Sequence, residues 1–111
     1  MRSLKEWYAL TLHSQLGPRQ GTLMVESEGS RLRGVLRLLG RENAVWGERK
    51  GSQTMELSHS LRTALGEHTC QSTLHITGET LSGTARLPGC KMTWSGKRLS
   101  REAREKEANC E

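Results

Sequence analysis

Hydrophobic and polar residues alternate with a period of two along most of the chain, which is the pattern of a β-strand with one buried face. In residues 6–14 the apolar positions are Tyr8, Leu10 and Leu12. The same alternation recurs and predicts eight short strands, around residues 6–14, 21–26, 32–38, 43–49, 53–63, 69–77, 81–85 and 90–94. Short strands separated by glycine-bearing turns are typical of an antiparallel sandwich or barrel.

The strand pattern occurs twice. Residues 29–40 and 78–89 both read G-x-x-L-x-G-x-x-R-L-x-G, and residues 1–49 laid onto 50–98 are identical at twelve positions. Chance would leave roughly three identities at ordinary residue frequencies. The sequence therefore predicts two equivalent four-stranded meanders, one in residues 1–49 and one in residues 50–98.

Two meanders in succession make one eight-stranded sheet, and closing that sheet into a barrel removes both of its edges. The matching pairs Gly34/Gly83 and Gly47/Gly96 fit strong bending, since glycine inside a strand often marks a curved sheet. We therefore expect an all-β, eight-stranded antiparallel up-and-down barrel over residues 1–98, with a sandwich as the alternative. Residues 99–111 form a short, charged C-terminal tail, expected to be a frayed helix or disordered.

The order of motifs Tyr8-x-Leu10-x-Leu12-x-Ser14-x-x-Gly17, Leu32-x-Gly34, Gly47, Leu81-x-Gly83 and Gly96-x-Arg98 resembles a family of small bacterial proteins of uncharacterised function. Members of that family open with a W-x-L-x-V-x-T-P-x-G strand and repeat L-x-G hairpins. The resemblance covers residues 6–98. It implies a streptavidin-like, eight-stranded barrel, and it brings no established activity or site residue.

Composition adds limits on location and chemistry. The chain has 111 residues, a formal charge of +5 and no Phe, so its core must be largely aliphatic. Its three cysteines have no CxxC spacing and follow a polar N-terminus, so we expect reduced thiols in a cytoplasmic protein, although a Cys70–Cys90 disulfide stays open. No apolar run approaches the roughly 20 residues of a membrane span.

A binding site is predicted from one histidine in an apolar position. His59 follows Met55 and Leu57 in the inward phase of its strand, and the repeat aligns it with Leu10. If Asn43 and Trp94 also point inward near the same end, the three would form a pocket for a small ligand. The alternative is a buried imidazole paired with a neighbouring polar group, in a barrel filled by leucine side chains.

Catalytic and metal sites have little support in the sequence. The chain has no Asp and no GxSxG motif, so a hydrolase triad is not indicated. His68-Thr69-Cys70 is the sole close pair of metal-binding residue types, and further ligands are missing nearby. We expect no enzyme activity, no metal and no cofactor.

Three functions remain open. The first is non-enzymatic binding of a small apolar or amphipathic molecule at one barrel end, near Asn43, His59 and Trp94. The second is a structural or interaction module, a homodimer through an outer face. The third is weak anion or nucleic-acid binding through a basic outer face, which is disfavoured because glutamates interleave it and few aromatic residues lie nearby. That face would consist of Arg31, Arg33, Arg37, Arg41 and Arg49.

Overall fold

The structure is a computed structural model, and it describes residues 4–15, 17–38, 40–63 and 66–99. This part of the chain is almost entirely extended. The strands are β1 (Leu4–Ser14), β2 (Gly17–Glu28), β3 (Arg31–Leu38), β4 (Arg41–Arg49), β5 (Thr54–Thr63), β6 (Gly66–Thr77), β7 (Thr80–Leu87) and β8 (Cys90–Arg98).

The eight strands form one closed barrel in which each strand pairs with the next in the sequence. All pairings are antiparallel, and β1 closes the barrel by pairing with β8 from Tyr8 opposite Arg98 to His13 opposite Thr93. The predicted all-β up-and-down barrel is confirmed, and the sandwich alternative is wrong. Closure leaves no strand edge unpaired in the sheet.

Two strands begin earlier than the sequence pattern predicts. β2 begins at Gly17, so Pro18 lies inside a strand rather than in a break, and it stands opposite His13 of β1. β6 likewise begins at Gly66. Both glycines have positive φ values, 108° and 115°, which lets the chain reverse sharply and start pairing at once.

The strand connections define two ends of the barrel. At the first end β1 begins, and the connections β2–β3, β4–β5 and β6–β7 cross. At the second end the connections β1–β2, β3–β4, β5–β6 and β7–β8 cross. Because side chains alternate along each strand, one set fills the interior and the other covers the outer wall.

Glycines at inward positions allow the sheet to coil tightly. A Cβ atom added at Gly34 would collide with the backbone oxygen of Met24, and one at Gly83 would collide with that of Thr73. These contacts are with backbone atoms of the neighbouring strand, so no side chain can move to relieve them. The predicted role of the strand glycines in bending the sheet agrees with this close approach.

The interior is packed and mostly aliphatic. Twenty hydrophobic side chains are 9% exposed or less, among them Leu23, Leu36 and Leu74. A ligand-sized empty space would leave its lining side chains accessible to water, so the interior in the described part of the chain is filled by side chains. This agrees with the alternative of a filled barrel.

Elements 49 residues apart have matching geometry. β3 and β7 have the same length and the same order of buried and exposed positions. Gly29 and Gly78 both have a φ of 63°, and Gly40 and Gly89 both have a φ of 72°. Duplication as the origin of this likeness stays a prediction.

The predicted C-terminal tail lies outside the described residues beyond Leu99. The backbone N–H of Leu99 donates to the carbonyl oxygen of Trp7, at 2.8 Å, so the chain leaves β8 alongside β1. Among the described residues there is no helix with the length and apolar character needed to cross a lipid bilayer.

Candidate functional site

His59 lies in the middle of β5 and points into the barrel, as its place between Leu57 and Leu61 predicts. Its side chain is only 2% exposed. Its Nδ1 atom lies 3.2 Å from the carbonyl oxygen of Ser60, and its Nε2 atom lies 2.9 Å from the hydroxyl oxygen of Ser72. A carbonyl can only accept, so Nδ1 carries the proton and Nε2 accepts from Ser72.

Ser72 connects His59 to Trp94. The Nε1–H group of Trp94 donates to the Ser72 hydroxyl oxygen at 3.0 Å, so this hydroxyl donates to one ring and accepts from the other. The rings of His59 and Trp94 meet edge to face, with centroids 6.2 Å apart. We call His59, Ser72 and Trp94 the polar cluster.

The buried polar side-chain atoms of the polar cluster all have hydrogen-bond partners. In the described residues no buried side-chain nitrogen or oxygen lacks a hydrogen-bond partner. Burial lowers the pKa of His59, while the bond to the Ser60 carbonyl raises it and offsets part of that effect. The imidazole is therefore held neutral, in agreement with an acceptor role for Nε2 toward Ser72.

The Ser72–His59 pair has the hydrogen bond that an activated serine needs. Its surroundings do not suit that chemistry, because Ser72 is 3% exposed and its oxygen already accepts from Trp94. The partner of Nδ1 is a backbone carbonyl instead of a carboxylate, so no negative charge balances an imidazolium. The geometry suits a structural or binding role better than nucleophilic attack.

Asn43 does not join the polar cluster. It is partly buried on β4, and its Nδ2 group donates to the carbonyl oxygen of Leu36 at 3.4 Å. Within the described part of the chain, no hydrogen bond or ring contact connects Asn43 to His59 or Trp94. Of the three predicted residues, two meet directly, and the third lies on a different strand nearer the second end.

Sequence reasoning missed Ser72, although a signal for it was present. Alternation in residues 69–77 gives Leu74 and Ile76 the inward phase, and positions 70 and 72 share that phase. A serine in the inward phase of a strand must find a partner inside the barrel. That His59 is the partner of Ser72 becomes evident only when β5 and β6 are placed in register.

The first end is closed by an ionic network around Glu6, which also points inward. Its carboxylate lies 3.0 Å from Arg49 Nη2 and 2.7 Å from Arg98 Nη2. Tyr8 donates its hydroxyl to the same carboxylate at 3.1 Å, and Ser27 accepts from Arg49 at 3.1 Å. Burial raises the pKa of Tyr8, so the phenol stays protonated as a donor.

This network overturns part of the predicted basic face. Arg49 lies inside the first end with its side chain 22% exposed, because its strand phase is that of Val45 and Gly47. Arg33 and Arg37 do lie outside, but each contacts a carboxylate, Arg33 with Glu26 at 3.4 Å and Arg37 with Glu42 at 3.2 Å. The five arginines do not form one cationic patch.

The second end is closed by aliphatic side chains over the polar cluster. These are buried and come from four different strands: Leu38, Leu61, Leu87 and Met92. Asn43 and Cys90 are partly exposed beside them. Cys70 and Cys90 carry free thiols, and burial raises the pKa of Cys70. No group of three metal-binding side chains occurs among the described residues.

A surface depression of about 950 Å³ lies elsewhere, on the outside of the barrel. Its lining comes from β1–β4, β7 and β8 and includes Ala9, Thr22, Arg37 and Lys97. None of Asn43, His59 and Trp94 lines it. This depression is therefore distinct from the predicted site.

Comparison with known proteins supports the fold. The chain is similar to the solved structure of a redesigned beta barrel, mFAP1, bound to DFHBI, with a TM-score of 0.65 and 15% sequence identity. The match covers 84% of this chain and 92% of the redesigned barrel. No protein-family model matches the chain, and no curated protein matches it.

Proposed function

We propose that this protein is a non-enzymatic barrel that binds a small amphipathic molecule at its second end. The observation that carries the proposal is the difference between the two ends. The first end is closed by the Glu6 network of ion pairs. The second end is closed mainly by aliphatic side chains, above a buried group of hydrogen-bonding side chains.

Aliphatic side chains can give way where an ion-pair network cannot. Met92 has an unbranched thioether side chain, which adapts to irregular shapes at low cost, and it lies directly above Trp94 on β8. Displacement of Met92 and Leu61 would expose the rings of Trp94 and His59 to a ligand. Asn43, partly exposed at the same end, would add an amide at the rim.

The ligand class follows from this lining. Most of the contact surface would be aliphatic and aromatic, with a few polar groups to fix orientation, as in many small-molecule sites. A flat aromatic molecule with one hydrogen-bonding group fits this description. The similar redesigned barrel is bound to the small molecule DFHBI, which supports the capacity of this architecture to hold such a ligand.

The test uses hydrophobic fluorescent probes, with Trp94 as the reporter. Trp7 and Trp46 also emit, so the measurement needs the Trp7→Phe, Trp46→Ser double variant as its background, in which Trp94 is the one remaining tryptophan. We expect aromatic probes to quench Trp94 emission, with a saturable dependence on probe concentration. Met92→Ala should tighten binding by opening the end, and Met92→Phe should abolish it by filling the same space without adding a second tryptophan.

The control variant is Thr84→Ala, in the middle of β7, where the side chain lies on the outer wall and points away from the interior. It should leave probe binding unchanged. Binding that responds to Thr84→Ala, or that ignores both Met92 variants, would place the probe on the outer wall. That result, or an absence of saturable binding in all variants, would overturn the proposed site.

A further inference from the structure

The outer wall of β1–β4 carries a row of apolar side chains. Trp7 stands opposite Met24, Met24 opposite Val35, and Val35 opposite Ala44, so these four residues form one continuous row across four strands. We call it the apolar row. Trp46 lies next to it on β4 and is 52% exposed.

The second half of the barrel lacks this feature. The positions 49 residues later than the apolar row and Trp46 have the same cross-strand register. All five are polar: Glu56, Thr73, Thr84, Thr93 and Ser95. The barrel therefore folds with a polar outer wall at these positions. The apolar wall of the first half needs another explanation, and apolar surface of this kind is typical of an interface.

Opposite charges are interleaved around the apolar row. The outer wall of β1–β4 carries Lys5, Arg31, Arg33 and Arg37 together with Glu26, Glu28, Glu42 and Glu48, and Arg41 is exposed at the start of β4. These five basic and four acidic residues sum to +1, whereas the whole chain has a formal charge of +5. A wall of interleaved charges favours neither nucleic acid nor an acidic partner. It weakens the repulsion between two copies of the same wall.

We propose that two copies of this chain associate through the outer wall of β1–β4, related by a two-fold axis between β2 and β3 and parallel to them. Such an axis brings β2 of one copy over β3 of the other. Met24 then meets the partner's Val35, because the two residues are opposite each other in the sheet. Glu26 meets the partner's Arg33 for the same reason.

The side-chain pattern fits this axis at three successive outward steps along β2 and β3. Glu28 pairs with Arg31, Glu26 with Arg33, and Met24 with Val35 within one copy. Each of these pairs joins opposite charges or two apolar groups, so repeating it between copies is also favourable. The wall is thus complementary to itself, which an isologous interface requires.

The tryptophans fit the shape of such an interface. Two barrel walls in contact curve away from each other on both sides of β2 and β3, leaving a widening gap over β1 and β4. Trp7 on β1 and Trp46 on β4 are large enough to fill that gap. Four strands spaced about 4.8 Å apart give a smaller contact than the roughly 800 Å² per partner of a standard interface, so we expect a dimer with micromolar dissociation.

Sedimentation velocity over three decades of protein concentration tests the proposal. We expect the mass to rise from 12.4 kDa toward twice that value. Met24→Thr and Val35→Thr, which take the residues found at positions 73 and 84, should each weaken association by about tenfold or more. Thr93→Ala on the opposite wall should have no effect.

A charge exchange tests the axis itself. Glu26→Arg alone places like charges opposite each other and should weaken association. Glu26→Arg combined with Arg33→Glu restores opposite charges both within and between copies, so it should restore the dimer. Glu42→Arg is the matched control, because it disturbs the Arg37 ion pair on a strand that curves away from the partner.

Three outcomes would overturn the proposal: a monomer at every concentration, an association insensitive to Met24→Thr and Val35→Thr, or a charge exchange that fails to restore association. Circular dichroism on each variant confirms that the barrel is intact. The proposal is independent of ligand binding at the second end, because the variants lie on the outer wall and leave the interior unchanged.

Discussion

The hydroxyl group of Ser72 is the most informative group to remove in a test of the polar cluster. Ser72→Ala would leave the Nε2 atom of His59 without a donor and the Nε1–H group of Trp94 without an acceptor. Both rings are almost fully buried, at 2% and 3% exposed, so water cannot replace the lost bonds. Each buried group left unpaired costs about 1–3 kcal/mol, so the two together give a loss of about 2–6 kcal/mol in the free energy of unfolding.

Urea denaturation followed by circular dichroism would measure this loss. For a domain of this size, each 1 kcal/mol lowers Tm by about 4–8 °C, so the variant should melt at least about 8 °C below the wild type. Ser82→Ala is the matched control, since that side chain lies exposed on the outer wall of β7. It should change stability by no more than about 0.5 kcal/mol.

A double-mutant cycle separates the two bonds of Ser72. In a His59→Leu background Ser72→Ala leaves Trp94 without its acceptor and removes the weak contact with Cys70 Sγ at 3.8 Å, so the cost of Ser72→Ala should fall by about half. A coupling of about 1–2 kcal/mol between the two sites is expected. Additive effects, or a loss no larger than that of Ser82→Ala, would refute the view that the polar cluster holds the interior together.

Three further measurements follow from the structure. The pKa of His59 is lowered by burial, so the unfolded chain binds more protons below about pH 6.5; stability should therefore fall as pH drops from 7 to 5, and His59→Leu should flatten that decline in chemical denaturation. Glu6→Gln should lower the free energy of unfolding by about 1–2 kcal/mol, because the ion pairs of Glu6 with Arg49 and Arg98 are only partly buried. Added salt should shrink the difference in stability between the variant and the wild type. Gly34→Ala should cost about 2–3 kcal/mol in thermal unfolding, since its Cβ atom meets the backbone of Met24.

Much of the fold could be predicted because a strand has only two faces. Alternation alone assigned Leu10, Leu57 and Leu74 to the interior, and the structure places all three there. The glycines inside the strands also predicted strong bending of the sheet, which favours a closed barrel. Strand starts at Gly17 and Gly66 could not be predicted, because a positive φ value allows pairing to begin directly after a turn whose residues look like a break.

The two ends of the barrel were harder to predict, because their chemistry depends on partners far apart in the sequence. Arg49 shares the inward phase of Val45, yet a charged residue at a strand end normally faces water. Its partner Glu6 is 43 residues away and joins it only after β1 and β4 are placed around the same opening. Ser72 was missed for a related reason, since its partners His59 and Trp94 lie on two other strands.

The two halves of the barrel share the residues that the fold needs and differ where chemistry is added. Five glycine and four leucine positions coincide, and these glycines lie at turns or where the sheet bends. Inside, Leu10 and Leu23 of the first half correspond to His59 and Ser72 of the second, so only the second half supplies these two members of the polar cluster. Outside, the contrast is reversed, because apolar side chains on the first half correspond to polar side chains on the second. The barrel thus carries one polar cluster inside and one apolar row outside. Each can be removed by substitutions that introduce the residues found at the equivalent positions of the other half, 49 residues away.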